Sequence, residues 1–422
     1  MAVIVFGKLN GWADIDLENF NTSTVVGFRV VGRNANNFLG VSVSGAGDVN
    51  GDGFSDVIIA AFGNSHPGAL NAGACFVVFG HSDTTTPFLD IDLNSYTLAN
   101  ATGFEIQGPL SRYFTGSSVA GNFDLNNDGY SDIAVISSYR GMAYILFGHD
   151  SSEPFNTLDL LELHTNSMSW GFRLNGFVTV ANFEDLAVSF AGDVNTDGID
   201  DLIIGVPKAS YYNRENCGIA YVLFGHSPDY VFSNIDITTD WVTTEEVGFR
   251  VLGTSSGDNL GWSVGGGVDI NADGISDLVI GSYYADPYGR SAAGTVNVVF
   301  GRSGLIWEDV DTSKISPDQG YQIYGAVVGD WLGWSLTLCN DMNGDGIGEI
   351  IISSRYADPS GRANAGEVTV IYGQIESPTS QPSTQPSALP SAQPSFQPSS
   401  TPLHKDIDSL PDSSIGIQYY GA

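Results

Sequence analysis

Asp48-Val-Asn50-Gly-Asp52-Gly53-Phe54-Ser-Asp56 puts an oxygen-bearing side chain at positions 1, 3, 5 and 9 of a nine-residue stretch and a glycine at position 6, then runs into the apolar Val57-Ile-Ile-Ala. The pattern returns four times: Asp124-Leu-Asn126-Asn-Asp128-Gly-Tyr130-Ser-Asp132, Asp193-Val-Asn195-Thr-Asp197-Gly-Ile199-Asp-Asp201, Asp269-Ile-Asn271-Ala-Asp273-Gly-Ile275-Ser-Asp277 and Asp341-Met-Asn343-Gly-Asp345-Gly-Ile347-Gly-Glu349. A hard cation such as Ca²⁺ takes roughly six to eight oxygens, and glycine at position 6 lets the backbone reverse so that the carbonyl of position 7 can join them. That reading makes Asp48, Asn50, Asp52, Phe54 and Asp56, and their counterparts in the other four loops, candidate metal ligands, with Phe54, Tyr130, Ile199, Ile275 and Ile347 contributing main-chain oxygen. The alternative is a set of solvated Asp/Asn/Gly turns without metal. Against it, three carboxylates converging on one turn repel one another unless a cation is present.

The loop differs from an EF-hand, which requires a bidentate Glu at position 12 and flanking helices. Position 12 is Ile59, Val135, Ile204, Ile280 or Ile352, and each loop leads into a short β-branched run bounded by turn residues, the pattern of a buried strand. Two other landmarks recur. One is an aliphatic run ending in aromatic-Gly at Phe6, Phe79, Phe147, Phe224, Phe300 and Tyr372; the other is a Gly-aromatic run starting at Gly27, Gly103, Gly171, Gly248 and Gly320. Each unit therefore reads as strand A (Gly-x-Ser-Val) entering the acidic loop, strand B leaving it, strand C ending in Phe-Gly, and strand D opening with Gly-Phe. Four short antiparallel strands per unit, repeated radially, predict an all-β fold, a β-propeller of four-stranded antiparallel blades. The link from C to D repeats an Asp-Ile-Asp-Leu theme, read as a surface segment with its own local turn.

The unit resembles the FG-GAP repeat of integrin α-subunit propellers: Phe38-Leu-Gly40-Val-Ser42-Val43 precedes the acidic loop, and Gly205-Val206-Pro207 follows strand B in the third unit. The resemblance implies a seven-bladed ring, calcium on the outer hairpins of several blades, an extracellular setting and a recognition role. This chain supplies five complete acidic units and strands C and D of a sixth, as a fragment of such a ring would. The expected organisation is a propeller over 1–376, a disordered Pro/Ser/Gln-rich insert or linker over 377–403 with proline at every fourth residue, and an outer strand of the last blade within 404–422, where Gly416-Ile-Gln-Tyr-Tyr-Gly421 echoes Gly320-Tyr-Gln-Ile-Tyr-Gly325; the rival is a stalk after the domain, with the echo coincidental.

Composition narrows the partners. The formal net charge is −33, with 15 Lys+Arg, and five bound Ca²⁺ would bring it only to −23. So acidic a surface disfavours nucleic acid and anionic membranes. Three scattered cysteines, Cys75, Cys217 and Cys339, argue against a disulfide framework. The N-terminus carries no signal-peptide pattern and looks like the last part of a unit whose beginning is absent. Asn21-Thr-Ser23 and Asn100-Ala-Thr102 match glycosylation acceptors. Gly261-Trp-Ser263-Val-Gly265 matches a nucleophile elbow but occupies the strand A position of its sister units, and Arg214 is the nearest candidate for a unit-specific catalytic group. The expectation is an extracellular or cell-surface module with about five Ca²⁺ that binds a protein or glycan, acts as no enzyme and does not itself insert into membrane. The alternatives are an accessory propeller of a secreted hydrolase or polysaccharide lyase, and a cell-wall spacer.

Overall fold

The computed structural model describes residues 1–7, 14–15, 17, 20, 27–82, 88–98, 101–165, 168–177, 186–241, 247–304 and 307–374, and the backbone of 404–406 and 415–420. Six sheets follow one another along the chain. The second contains A Val43–Gly47, B Asp56–Ala61, C Ala74–Val78 and D Gly103–Gln107, each antiparallel to its neighbour. The third, fourth and fifth repeat this order with B strands Asp132–Ser137, Asp201–Val206 and Asp277–Ser282. The first begins at strand C, Ala2–Val5, paired with D, Gly27–Val31. The sixth has A Leu332–Cys339, B Glu349–Ser354 and C Glu367–Tyr372, and its D strand is Ile415–Tyr420. The all-β propeller blades expected from the repeat are present.

The B strands read as continuous apolar runs because both their faces are covered. Side chains alternate across a strand. Ile58 and Ala60 pack with Val119, Ile133 and Val135 of the third sheet, whereas Ile59 and Ala61 pack with Ala2, Phe28 and Val30 of the first. Five such clusters, one between each successive pair of sheets, form the core. The A strands pack against the A strands of neighbouring sheets and so lie innermost. The serine of Gly-x-Ser-Val ties them together: Ser42 Oγ accepts the Val119 N–H at 3.1 Å, Ser118 Oγ accepts the Val188 N–H at 3.3 Å, and Ser263 Oγ donates to the Gly333 carbonyl at 2.8 Å. Ser263 is thus a bridge between sheets, in the bend that leads into strand A (Val264–Val268) and not on a strand-to-helix turn. The acidic loops join the two inner strands of each blade, which corrects the expectation of outer hairpins.

The C–D link does more than turn. Ile91–Asp92, between C and D of the second sheet, reaches back and pairs in parallel with strand D of the first. Leu158–Asp159, Ile235–Asp236, Val310–Asp311 and the backbone of His404–Asp406 do the same for the next four sheets. The local turn is also there: Asp92, Asp159, Asp236 and Asp311 each accept the N–H two residues on. The first acid of the theme anchors the strap, with Asp90 on Arg29 and Asp309 on Arg250, both through their guanidinium groups. Period-2 alternation could not announce a two-residue strand.

Cys75 and Cys217 are buried, Cys339 is half-buried, and all three are free thiols. Asn21, Asn100 and the 377–403 tract lie outside the described residues.

Candidate metal centres on the acidic loops

Each loop folds onto its own side chains. In the first, Asp48 accepts the N–H groups of Asp52 (3.1 Å) and Gly53 (2.8 Å), and Asn50 Oδ1 accepts Asp52 N–H at 3.0 Å. Asn50 Nδ2 donates to Asp52 Oδ2 at 3.0 Å, and Asp52 Oδ1 accepts the Phe54 N–H at 2.9 Å. The same bonds recur around Asp124, Asn126, Asp128 and Tyr130, around Asp193, Asn195, Asp197 and Ile199, around Asp269, Asn271, Asp273 and Ile275, and around Asp341, Asn343, Asp345 and Ile347. Positions 1, 3 and 5 therefore converge in all five loops, and the position-7 N–H is fixed by position 5.

Position 9 is held differently. Asp56, Asp132, Asp201 and Asp277 are buried at the start of strand B. One carboxylate oxygen accepts the N–H of position 2 of its own loop, Val49, Leu125, Val194 or Ile270, at 2.8–2.9 Å. The other accepts the N–H of the glycine that ends strand C, Gly80, Gly148, Gly225 or Gly301, at 2.8–3.0 Å. This explains the aromatic-Gly landmark. A Cβ at Gly80 would collide with the Ser55 carbonyl, and one at Gly225 with the Asp200 carbonyl, so only glycine brings strand C close enough to bond the carboxylate.

Burial sets the electrostatics. It pushes the Asp56 and Asp277 carboxyls up to about 7, against their backbone hydrogen bonds, and the charges at positions 1 and 5 add to the rise. Asp132 and Asp201, more deeply placed, are pushed well above the usual carboxylate range for the same reasons. A cation bound beside a buried carboxylate favours its charged form and would offset this rise.

The fifth loop departs from the others. Its Glu349 is one methylene longer, Oε2 accepts the Met342 N–H at 2.6 Å, and Oε1 is buried with no hydrogen-bond partner. Asp341, Asp345 and Glu349 bring carboxylate oxygens within 4.8 Å of one another, the only such three-residue acidic or thiol/imidazole group among the described residues. A buried glutamate with one oxygen left without a partner, beside two further carboxylates, matches the oxygen-only donor set that a hard divalent ion requires.

Two features escaped the sequence reading. Position 4 is left-handed in every loop, at Gly51 (φ 68°), Asn127 (53°), Thr196 (66°), Ala272 (63°) and Gly344 (84°). Gly at two of these and Asn at a third were the available signal. The loops also dock on the following blade: the carbonyls of Val49, Leu125, Val194 and Ile270 accept the N–H of His149, His226, Arg302 and Gln374, each just past the next aromatic-Gly. Asp200, beside Asp201, adds a carboxylate to the same seam and accepts the Asp124 N–H at 3.0 Å. Arg214, the candidate for a unit-specific reactive group, is committed to Asp311 at 2.9 and 3.0 Å and to the Gly253 carbonyl. It acts as a brace between the B–C loop and the back-reaching strap.

A model of the FG-GAP repeat family matches residues 260–299 and 332–371. Phosphatidylinositol-glycan-specific phospholipase D of Bos taurus is 29% identical over 230 residues, 51% of this chain and 24% of the relative. Its Dictyostelium discoideum namesake is 22% identical over 365 residues, 86% of this chain and 29% of the relative. Integrin alpha-V of Gallus gallus is 24% identical over 252 residues, 59% of this chain and 20% of the relative. The fold is that of β-propeller blades, the fifth and sixth of which match the FG-GAP repeat, and the chain resembles the integrin alpha subunits. It spans about a quarter of the length of the curated relatives it matches. These relatives correct one expectation: a chain outside enzymes is contradicted by its similarity to proteins named as phospholipases D. No helix among the described residues is long and apolar enough to cross a membrane.

Proposed function

We propose that this chain is a calcium-braced propeller working outside the cell, where it recognises a protein or glycan ligand as part of a larger protein. The observation that carries the calcium reading is the fivefold convergence of positions 1, 3 and 5, with position 9 joining in the fifth loop, where Asp341, Asp345 and Glu349 bring carboxylate oxygens within 4.8 Å of one another. Sites of this kind in extracellular modules bind calcium at roughly 10⁻⁴–10⁻³ M, which extracellular fluid fills and cytosol does not. Each ion would neutralise a loop that also hydrogen-bonds to the next blade, so occupancy would brace the seam between blades. The 377–403 tract would be an extended linker interrupting the last C–D link, consistent with the backbone pairing of 404–406 and 415–420 on either side. Calorimetric titration of the chelator-stripped chain is expected to reveal about five calcium sites of sub-millimolar to millimolar affinity. Pull-down from an extracellular protein and glycan panel in calcium, against the same panel in chelator, tests recognition; an identical capture profile in both would count against it.

A second reading is favoured by the similarity to phospholipases D over half or more of this chain: the propeller is the portion of a secreted hydrolase that positions the enzyme on its target. Hydrolase activity of the full-length protein that falls when the acidic loops are disabled would support it; activity indifferent to those loops would count against it.

A further inference from the structure

The fifth blade differs from the second, third and fourth at one buried place, as the sixth does with Thr369 opposite Gln418. The third residue of strand C is Phe76, Tyr144 and Tyr221 in the second, third and fourth sheets, each a buried ring wedged against the preceding blade. The fifth sheet has Asn297 there, 1% exposed. Opposite it on strand D, where the first, third and fourth sheets carry Arg29, Arg173 and Arg250, stands Gln322. Two small amides replace a ring and a guanidinium, and the space they vacate is a cavity of about 460 Å³ between the fourth and fifth sheets, at the end of the strands away from the acidic loops.

The cavity is polar and ordered. Asn297 Nδ2 donates to Ser282 Oγ at 3.1 Å and to the Ile280 carbonyl at 3.3 Å. Gln322 Nε2 donates to Asn297 Oδ1 at 2.7 Å, and Gln322 Oε1 accepts the Tyr324 hydroxyl at 2.9 Å. Asp258, 7% exposed, uses one carboxylate oxygen on the Ser255 N–H at 2.9 Å. Thr254 and Ser256 add hydroxyls to the wall. At the mouth stands Tyr288, 72% exposed, its ring edge-on to Tyr324 at 5.0 Å. The equivalent turn in the sixth sheet has the same left-handed backbone but carries Ser360, so the turn alone does not call for the ring.

We propose that this cavity binds an uncharged pyranose. Its size falls in the roughly 300–1,000 Å³ range of small-molecule sites, and about half of its wall is polar, from amides, hydroxyls and carboxylates, where most such sites are apolar. Fixed donors and acceptors alternating at close range suit the vicinal hydroxyls of a sugar, and an aromatic face at the rim suits the C–H side of its ring. Asp258 and Asp286 line the site and no Lys or Arg does, so anionic sugars and phosphates are repelled. The inference deepens the recognition reading by assigning a ligand class and a place for it.

The test uses the calcium-loaded full chain, titrated by calorimetry and saturation-transfer NMR with methyl α-mannopyranoside, methyl β-galactopyranoside, methyl β-glucopyranoside and glucuronate. At least one neutral glycoside is expected to bind at millimolar or better, with glucuronate at least tenfold weaker. Asn297→Tyr, which restores the ring of the sister blades, is expected to abolish binding, and Gln322→Leu to weaken it tenfold or more, while calcium-dependent melting is unchanged in both. No binding by any neutral glycoside, equal binding of glucuronate, or binding untouched by both variants overturns the assignment. Two variants guard against a loss that is only misfolding. Sugar failure alongside calcium-dependent capture of a partner would remove this site and leave the recognition reading standing.

Discussion

The two ends of every blade are built by opposite rules. At the loop end, five units repeat the same hydrogen bonds almost atom for atom, and among positions 1, 3, 5 and 9 only position 9 of the fifth loop changes, from Asp to Glu. At the far end the units diverge: Arg33 pairs with Glu105, Arg214 with Asp311, and between the fourth and fifth sheets a cavity opens instead. Repetition marks the end where carboxylates, strained turns and the next blade constrain every residue together. Divergence marks the end where one unit can change without its neighbours, and that freedom is what ligand specificity needs.

The sharpest way to break this comparison is to remove calcium. If five sites of roughly millimolar affinity are filled at 10 mM ion, linkage stabilises the fold by about 7 kcal/mol in total. Scanning calorimetry with and without chelator should show a drop in melting temperature of many degrees; an unchanged trace would leave the loop end without its cations. In the chelated protein the raised position-9 carboxyls set the pH dependence. Their folded values, about 7 at Asp56 and Asp277, exceed the unfolded value near 4, so their contribution is fully favourable below about 4 and is lost as pH rises through 7. Melting of the chelated chain should therefore rise on going from pH 8 to pH 5.5, and calcium should flatten that slope. Next, Asp132→Ala strands the buried N–H groups of Leu125 and Gly148, at a cost of about 2–4 kcal/mol in urea unfolding. At the far end, Arg250→Ala breaks a partly exposed ion pair with Asp309 and should cost about 1 kcal/mol or less. Smallest, and of opposite sign, Thr196→Gly relieves a β-branched residue from a left-handed turn and should stabilise by about 0.5 kcal/mol, net of the added chain entropy of glycine.

Much of this architecture could be read along the chain, because propeller blades are local. Strands A to D of one unit are consecutive, so turn residues and apolar runs delimit them directly, and the acidic loop identifies itself by spacing. What escaped was set between units. The back-reaching straps at Ile91–Asp92 and Leu158–Asp159 are too short for any periodicity, and they exist only because the preceding strand D offers a free edge. The glycine of Phe-Gly was visible as a landmark, but its reason, a carboxylate about two dozen residues away in most units, was not.

By itself the sequence determined the repeat, the strand order within a blade and the oxygen-bearing side chains that each loop gathers, since all three depend on residues near one another in the chain. The tertiary structure alone decided which face of each strand meets which neighbour, how the loops clasp the next blade, and that Asn297 and Gln322 leave a cavity where the third and fourth sheets place a ring and a guanidinium group. Those outcomes depend on packing between units far apart in sequence, where one side chain's volume matters only relative to what stands across the seam.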